Sequence, residues 1–186
     1  MPIEAGDFRN GLTLIIEGNI YQVLEFQHVK PGKGAALLKT KLKNLKTGGI
    51  VERSFNTSMK FDQAMIDKRT LQYSYSSNDT YFFMDTETYE MYEFDEKMIG
   101  FAKNFLIEGT EVSVKFFESE MIGMDIPEKM TLTVTETSDA VAGNTSSTAT
   151  KDAIVETGLL VKVPLFIKLN DKIIVSTADG KYCGRA

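Results

Sequence analysis

One cysteine and one histidine are all that 186 residues offer to thiol and soft-metal chemistry. Cys183 alone cannot close a disulfide within the chain, a usage that fits a reducing compartment. Together with His28 it cannot assemble a zinc site of ordinary composition, so no metal or cofactor is expected. His28 alternates with Leu24 and Phe26 and reads as a structural strand residue. No serine–histidine–acid order, dinucleotide fingerprint or Walker loop is present. Gly32-Lys33-Gly34 is not a phosphate loop, because the upstream glycine and the Ser/Thr after the lysine are both missing. No apolar run approaches the length of a membrane span. Met1-Pro2-Ile3-Glu4 opens into strand-like sequence with no secretory signal, and the expectation is a cytoplasmic, monomeric protein with no membrane partner.

What the chain does have is charge set out unevenly. The net charge is −5. Residues 1–63 hold nine basic and six acidic side chains, residues 64–127 five basic and thirteen acidic, and residues 128–186 seven of each. A protein that coats free RNA or DNA is basic throughout, so the acidic middle argues against that class and allows contact with basic protein surfaces. With 42% apolar residues the chain can bury cores, and the charge steps coincide with three runs of short strands. The domains expected are therefore 1–63, 64–127 and 128–186.

The first run is organised around Val29-Lys30-Pro31-Gly32-Lys33-Gly34-Ala35-Ala36, between strands expected at Ile20–Val29 and Ala36–Leu45. Pro31 fixes one φ angle and Gly32 and Gly34 permit unusual ones, the chemistry of a hairpin tip. Lys33 is the one long side chain between residues that have none. On the following strand Leu37, Lys39, Lys41 and Lys43 fall on one face and Ala36, Leu38, Thr40 and Leu42 on the other. Three lysines thus lead outward to Lys33, with Lys30 beside it, a row suited to a phosphate backbone. Thr13–Ile16 and Ile50–Phe55 complete the run, and Phe61–Arg69 holds one helical turn or merely connects.

In the middle third Leu71–Tyr75, Thr80–Asp85 and Glu111–Phe117 read as strands. Its aromatics, Tyr73, Tyr75, Tyr81, Phe82, Phe83, Tyr89, Tyr92 and Phe94, are interleaved with acids that repel a phosphate backbone, which favours core and cross-strand packing over base stacking. Phe94–Leu106 has the apolar spacing of a helix, through Met98, Phe101, Ala102 and Phe105. In the last third Lys129–Thr137, Ile154–Thr157, Leu159–Ile167 and Lys172–Ser176 are strands, and Ala142–Lys151 is a small, polar loop. Glu108–Val114 echoes Leu169–Val175 in pattern and place, which makes the middle and last thirds related barrels of the oligonucleotide-binding (OB) kind.

The residues quoted, from Asp7-Phe8-Arg9-Asn10-Gly11 and the Lys33 tip through Phe82-Met84-Asp85, Glu87-Thr88-Tyr89-Glu90, Gly143-Asn144-Thr145-Ser146-Ser147, Glu156-Thr157-Gly158, Val163-Pro164-Leu165-Phe166-Ile167 and Gly180-Lys181-Tyr182 to Arg185, resemble bacterial translation elongation factor P over the whole chain. The resemblance implies an all-β protein of three small barrels in an L-shaped, tRNA-like arrangement. An SH3/KOW-like barrel comes first and two OB-fold barrels follow. It implies binding to the 70S ribosome between the P and E sites and relief of stalling at consecutive prolines, without catalytic groups of its own. Lys33 would approach the peptidyl-transferase centre beside the P-site peptidyl-tRNA, and in many relatives an enzyme lengthens the matching lysine. Lys30, Lys39, Lys41 and Lys43 would meet tRNA or rRNA backbone. Gly143, Asn144, Thr145, Tyr182 and Arg185 would contact the small subunit and tRNA body. Asn170-Asp171 stands where the family has glycine-aspartate, and Ser176–Gly180 replaces an arginine-bearing segment.

Two other classes remain open to the residues. A free-standing RNA-binding module would show affinity for naked strands with a steep salt dependence. An enzyme using Lys33 as a Schiff-base nucleophile would need burial or a cationic neighbour to activate the amine, and a glycine-flanked tip offers little burial.

Overall fold

Alternating apolar and polar side chains make strands of nearly all the regular elements among the described residues. The computed structural model describes residues 2–138 and 149–186. The first strands are β1 (Pro2–Glu4), β2 (Thr13–Ile16), β3 (Asn19–Val29), β4 (Leu37–Asn44), β5 (Ile50–Asn56) and β6 (Lys60–Gln63). They form a curled six-stranded sheet in the order β1-β6-β2-β3-β4-β5. Its concave face buries Ala5, Phe8, Leu14, Val23, Leu38 and Leu42. The Phe8 ring packs against Phe55 and Phe61 at centroid distances of 6.3 and 5.5 Å. That packing explains why the segment after Phe61 is not a helical turn: β6 lies in the sheet, with Phe61 opposite Ile3.

The next strands are β7 (Asp67–Ser77), β8 (Thr80–Asp85), β9 (Met91–Asp95), β10 (Glu111–Phe117) and β11 (Glu120–Asp125), in the order β11-β10-β7-β8-β9. The last set is β12 (Lys129–Thr137), β13 (Thr150–Val155), β14 (Leu160–Pro164), β15 (Lys172–Ser176) and β16 (Tyr182–Arg185), in the order β14-β13-β12-β15-β16. The two orders are one topology: the first strand is central, the second and third lie on one side and the fourth and fifth on the other.

The echo between Glu108–Val114 and Leu169–Val175 is the shared entry to the fourth strand. The Gly109 N–H donates to the Tyr73 carbonyl at 2.9 Å and the Tyr73 N–H to the Thr110 carbonyl at 2.8 Å. In the last sheet Asn170 donates to Val134 and Val134 to Asp171, both at 2.9 Å. Gly109 has φ +86° and Asn170 φ +64°. Asparagine tolerates the left-handed region, so the turn forms without the family's glycine.

By contacts the chain divides into two compact units. One is the chain up to Arg69 with Val114–Gly123, and the other is Thr70–Ser113 with Met124–Ala186. The expected helix over Phe94–Leu106 is cut short. Glu96–Ile99 is helical, and Gly100–Phe105 is a 3-10 turn. Gly100 sits at φ 59°, ψ −132°, a conformation essentially closed to other residues, and it redirects the chain. Phe105 is thereby buried with Leu132, Val134 and Ile173 in the last sheet's core, while Met98 and Phe101 stay about half exposed. The middle aromatics split as well. Tyr73, Phe83 and Phe94 are buried, but Tyr75 and Tyr89 are exposed.

Candidate functional site

The β3–β4 hairpin positions the tip. β3 runs for eleven residues, and its register with β4 shifts at a bulge between Val23 and Glu25, which raises its twist. Pairing continues to Val29 opposite Leu37, and residues 30–36 connect the strands. Lys30, Pro31, Gly32, Lys33, Gly34 and Ala35 are all exposed. Gly34 has φ +125°, where an L side chain is strained, and a Cβ there would stand 3.8 Å from the Pro31 ring. Gly32 has an ordinary φ and open space around it. Among the described residues Lys33 makes no hydrogen bond or ion pair, so its amine is presented to solvent.

Burial along β4 alternates as the sequence pattern requires, with Leu38, Thr40 and Leu42 inside and Lys39 and Lys43 exposed. The Thr40 hydroxyl donates to the Arg53 carbonyl at 2.8 Å, fastening β4 to β5. The strand register then gives the three lysines different neighbours. Lys39 lies between Gln27 and Ser54, Lys43 between Gln22 and Ile50, and Lys41 between Glu25 and Glu52. The Lys41 Nζ is 3.9 Å from Glu25 Oε1. Among the described residues Lys39 and Lys43 have no ion-pair partner. An open cleft of about 900 Å³ runs over these strands, lined by Lys39, Lys41, Gln27, Ser54, Arg53 and Asn10 with the two glutamates.

Arg53 and the polar residues about it were not legible as part of this surface. Alternation places Glu52 and Ser54 on one face of β5, but only the register shows which lysine each one meets. Arg53 itself is engaged: its Nη2 is 3.2 Å from Glu17 Oε2 and its guanidinium lies over the Tyr21 ring. His28 is exposed and meets Phe26 edge-on, with centroids 6.0 Å apart.

In the last sheet Tyr182 and Arg185 share β16. Tyr182 is half-buried against the core, and Arg185 Nη2 is 3.2 Å from Asp171 Oδ1. Gly143, Asn144 and Thr145 lie outside the described residues. Among those described, no group of three or more His, Cys, Asp or Glu side chains could hold a metal ion, and no helix is long and apolar enough to cross a membrane.

Three family models match this chain in succession: the elongation factor P KOW-like domain over residues 4–61, the elongation factor P OB domain over 66–124, and the elongation factor P C-terminal domain over 130–185. The chain belongs to the elongation factor P family. It is similar to the solved structure of eukaryotic translation initiation factor 5A from Methanococcus jannaschii, at 26% identity and a TM-score of 0.52, over 68% of this chain and 92% of that one. It shares its fold with a translation initiation factor eif-5a family protein from Naegleria fowleri, at 17% identity and a TM-score of 0.53, over 68% of this chain and 98% of that one. Membership of the elongation factor P family makes the molecule a translation elongation factor of the ribosome, all-β, with a KOW-like sheet followed by two OB-type sheets. The KOW-like match contains the Lys33 tip and the lysine row, and the C-terminal match contains Tyr182 and Arg185.

Proposed function

We propose that the factor binds the ribosome between the P and E sites and promotes peptide-bond formation where synthesis stalls, as at consecutive prolines, by positioning the P-site peptidyl-tRNA through Lys33. The observation that carries this reading is an exposed lysine, without partners among the described residues, at the end of a hairpin whose outer face is a row of lysines. The chemistry is positional. Proline reacts poorly, and holding the reactants in order lowers the entropic part of the barrier without a catalytic group on the factor. Lys30, Lys39 and Lys43 would attract tRNA and rRNA phosphates, while Lys33 would supply position, with its accessible amine open to a modifying enzyme. Gly143, Asn144, Thr145, Tyr182 and Arg185 are proposed to meet the small subunit and tRNA body. The factor is read as a cytoplasmic monomer.

Titration of variants into reconstituted translation of a message with consecutive prolines separates the roles. Lys33→Ala should bind ribosomes nearly as the parent does and fail to rescue at any concentration. Lys39→Ala should bind more weakly, with a salt slope smaller by about one, and rescue once its concentration is raised. Full rescue by Lys33→Ala at saturation would show that the tip is only a turn.

A further inference from the structure

The β3–β4 hairpin is electrically divided along its length. From Phe26 to Thr40 there is no acidic residue, while Lys30, Lys33 and Lys39 are present. Towards the base Lys41 faces Glu25 and Glu52 across both neighbouring strands, while Lys43 beyond it stands opposite Gln22 and Ile50; Arg53, opposite Thr40, is paired with Glu17 at 3.2 Å. Residues directly opposite in an antiparallel sheet have Cβ atoms about 5 Å apart, close enough for opposite charges to attract. Side chains two apart on a strand are about 6.6 Å apart, so Glu25 and Glu52 also lie within about one Debye length of Lys39 and Lys43.

We propose that Glu25 and Glu52 mask Lys41 and hold the lysine face below the charge needed to retain free RNA, so that the factor holds RNA firmly only where a partner also reaches the acid-free distal half of the hairpin. The proposal rests on the reading that the lysine row meets RNA phosphates. A duplex lying along the whole face must bring phosphates up to two carboxylates, whereas one that meets only the distal half meets cations alone. The row therefore discriminates by depth rather than by base sequence. Affinity for bulk RNA is kept low without removing the cations that a correctly placed partner uses.

The test uses the full chain, a short fluorescein-labelled RNA duplex and salt-washed ribosomes. Glu25→Gln/Glu52→Gln should bind the naked duplex roughly tenfold more tightly than the parent at low salt, with a salt slope steeper by about one, because Lys41 is released to a phosphate. Lys41→Met should change duplex affinity by less than about twofold in the parent and by about fivefold or more in the glutamine background. Thermal unfolding confirms that each variant folds, and either single glutamine variant, at an exposed position, shows the same direction if the double variant does not. Duplex binding unchanged by the glutamines, or equal losses from Lys41→Met in both backgrounds, overturns the masking while leaving the lysine-row reading intact. If Lys39→Ala and Lys43→Ala alter binding to neither ribosome nor duplex, the lysine-row reading itself fails, and the masking with it.

Discussion

At Gly34 the backbone passes through φ +125°, and at Gly32, two residues earlier, it keeps an ordinary angle with nothing within 4 Å of a notional Cβ. The two glycines that flank Lys33 therefore do different things. A side chain at Gly34 costs about 1–3 kcal/mol in the observed conformation, and an exposed loop relieves that cost by moving. Gly34→Ala should accordingly leave the midpoint of urea unfolding almost unchanged but reduce rescue of proline-run synthesis, because Lys33 is displaced. Gly32→Ala should retain both. Equal activity in the two variants would show that the tip conformation does not matter. Both glycines stand out in the sequence, yet only the φ angles tell them apart.

At the level of single elements, the turn before the fourth strand of each OB-type sheet is held by a side chain. The Thr110 hydroxyl donates to the Ile107 carbonyl at 2.7 Å, and Asp171 Oδ2 accepts from the Lys168 N–H at 2.9 Å. Asp171 also takes Arg185 on its other oxygen. The Lys168 N–H is exposed and turns to water when the carboxylate goes, so Asp171→Ala should cost about 0.5–1.5 kcal/mol in urea unfolding. Arg185→Ala removes only an exposed ion pair, worth about 0–1 kcal/mol. A loss of ribosome affinity in Arg185→Ala with unchanged stability would then report a contact, and unchanged affinity would remove the residue from the interface. The last turn carries a pH signature. The Lys181 N–H bonds Asp179 at 3.1 Å and holds its carboxyl below the ordinary value. That stability is present above the unfolded pKa and is lost as pH falls through the lower folded one. Asp179→Asn should flatten the acid limb of a stability–pH profile, and an unchanged limb would count against the bond.

The legible elements were those whose pattern is local. β2, β8, β10, β12 and β15 have the expected bounds, because each is a clean alternation between turn residues. β6, β9, β11 and β16 are not specified locally, since short or mixed strands are set by the partner they pair with. The helix failed for a related reason: Gly100 breaks a pattern that apolar spacing alone supports. At the site, the tip and the lysine face were readable, while the opposition of Lys41 to Glu25 and Glu52 depends on a bulge and a long-range register.

For the molecule as a whole, the balance of charge sets how binding responds to salt. The net charge is −5 and the sequence pI about 5.0, yet the factor is read as working against RNA. A chain that coated RNA through many cations would make six to ten phosphate contacts and lose roughly 10³–10⁵ in affinity between about 50 and 200 mM salt. On this hairpin the cations open to phosphate are Lys30, Lys33, Lys39 and Lys43, because Lys41 faces carboxylates and Arg53 beside it is paired with Glu17. The acidic middle third adds no such contacts, and salt screens any repulsion between it and RNA, which offsets part of the loss. The logarithm of ribosome affinity should therefore fall with the logarithm of monovalent salt at a slope of about −3, measured by filter binding at constant magnesium. Lys39→Ala and Lys43→Ala should each make that slope shallower by about one, and Lys41→Met should leave it nearly unchanged. A parental slope steeper than about −6 would mean that phosphate contacts extend well beyond the hairpin, and the assignment of most phosphate contacts to this one face would be wrong.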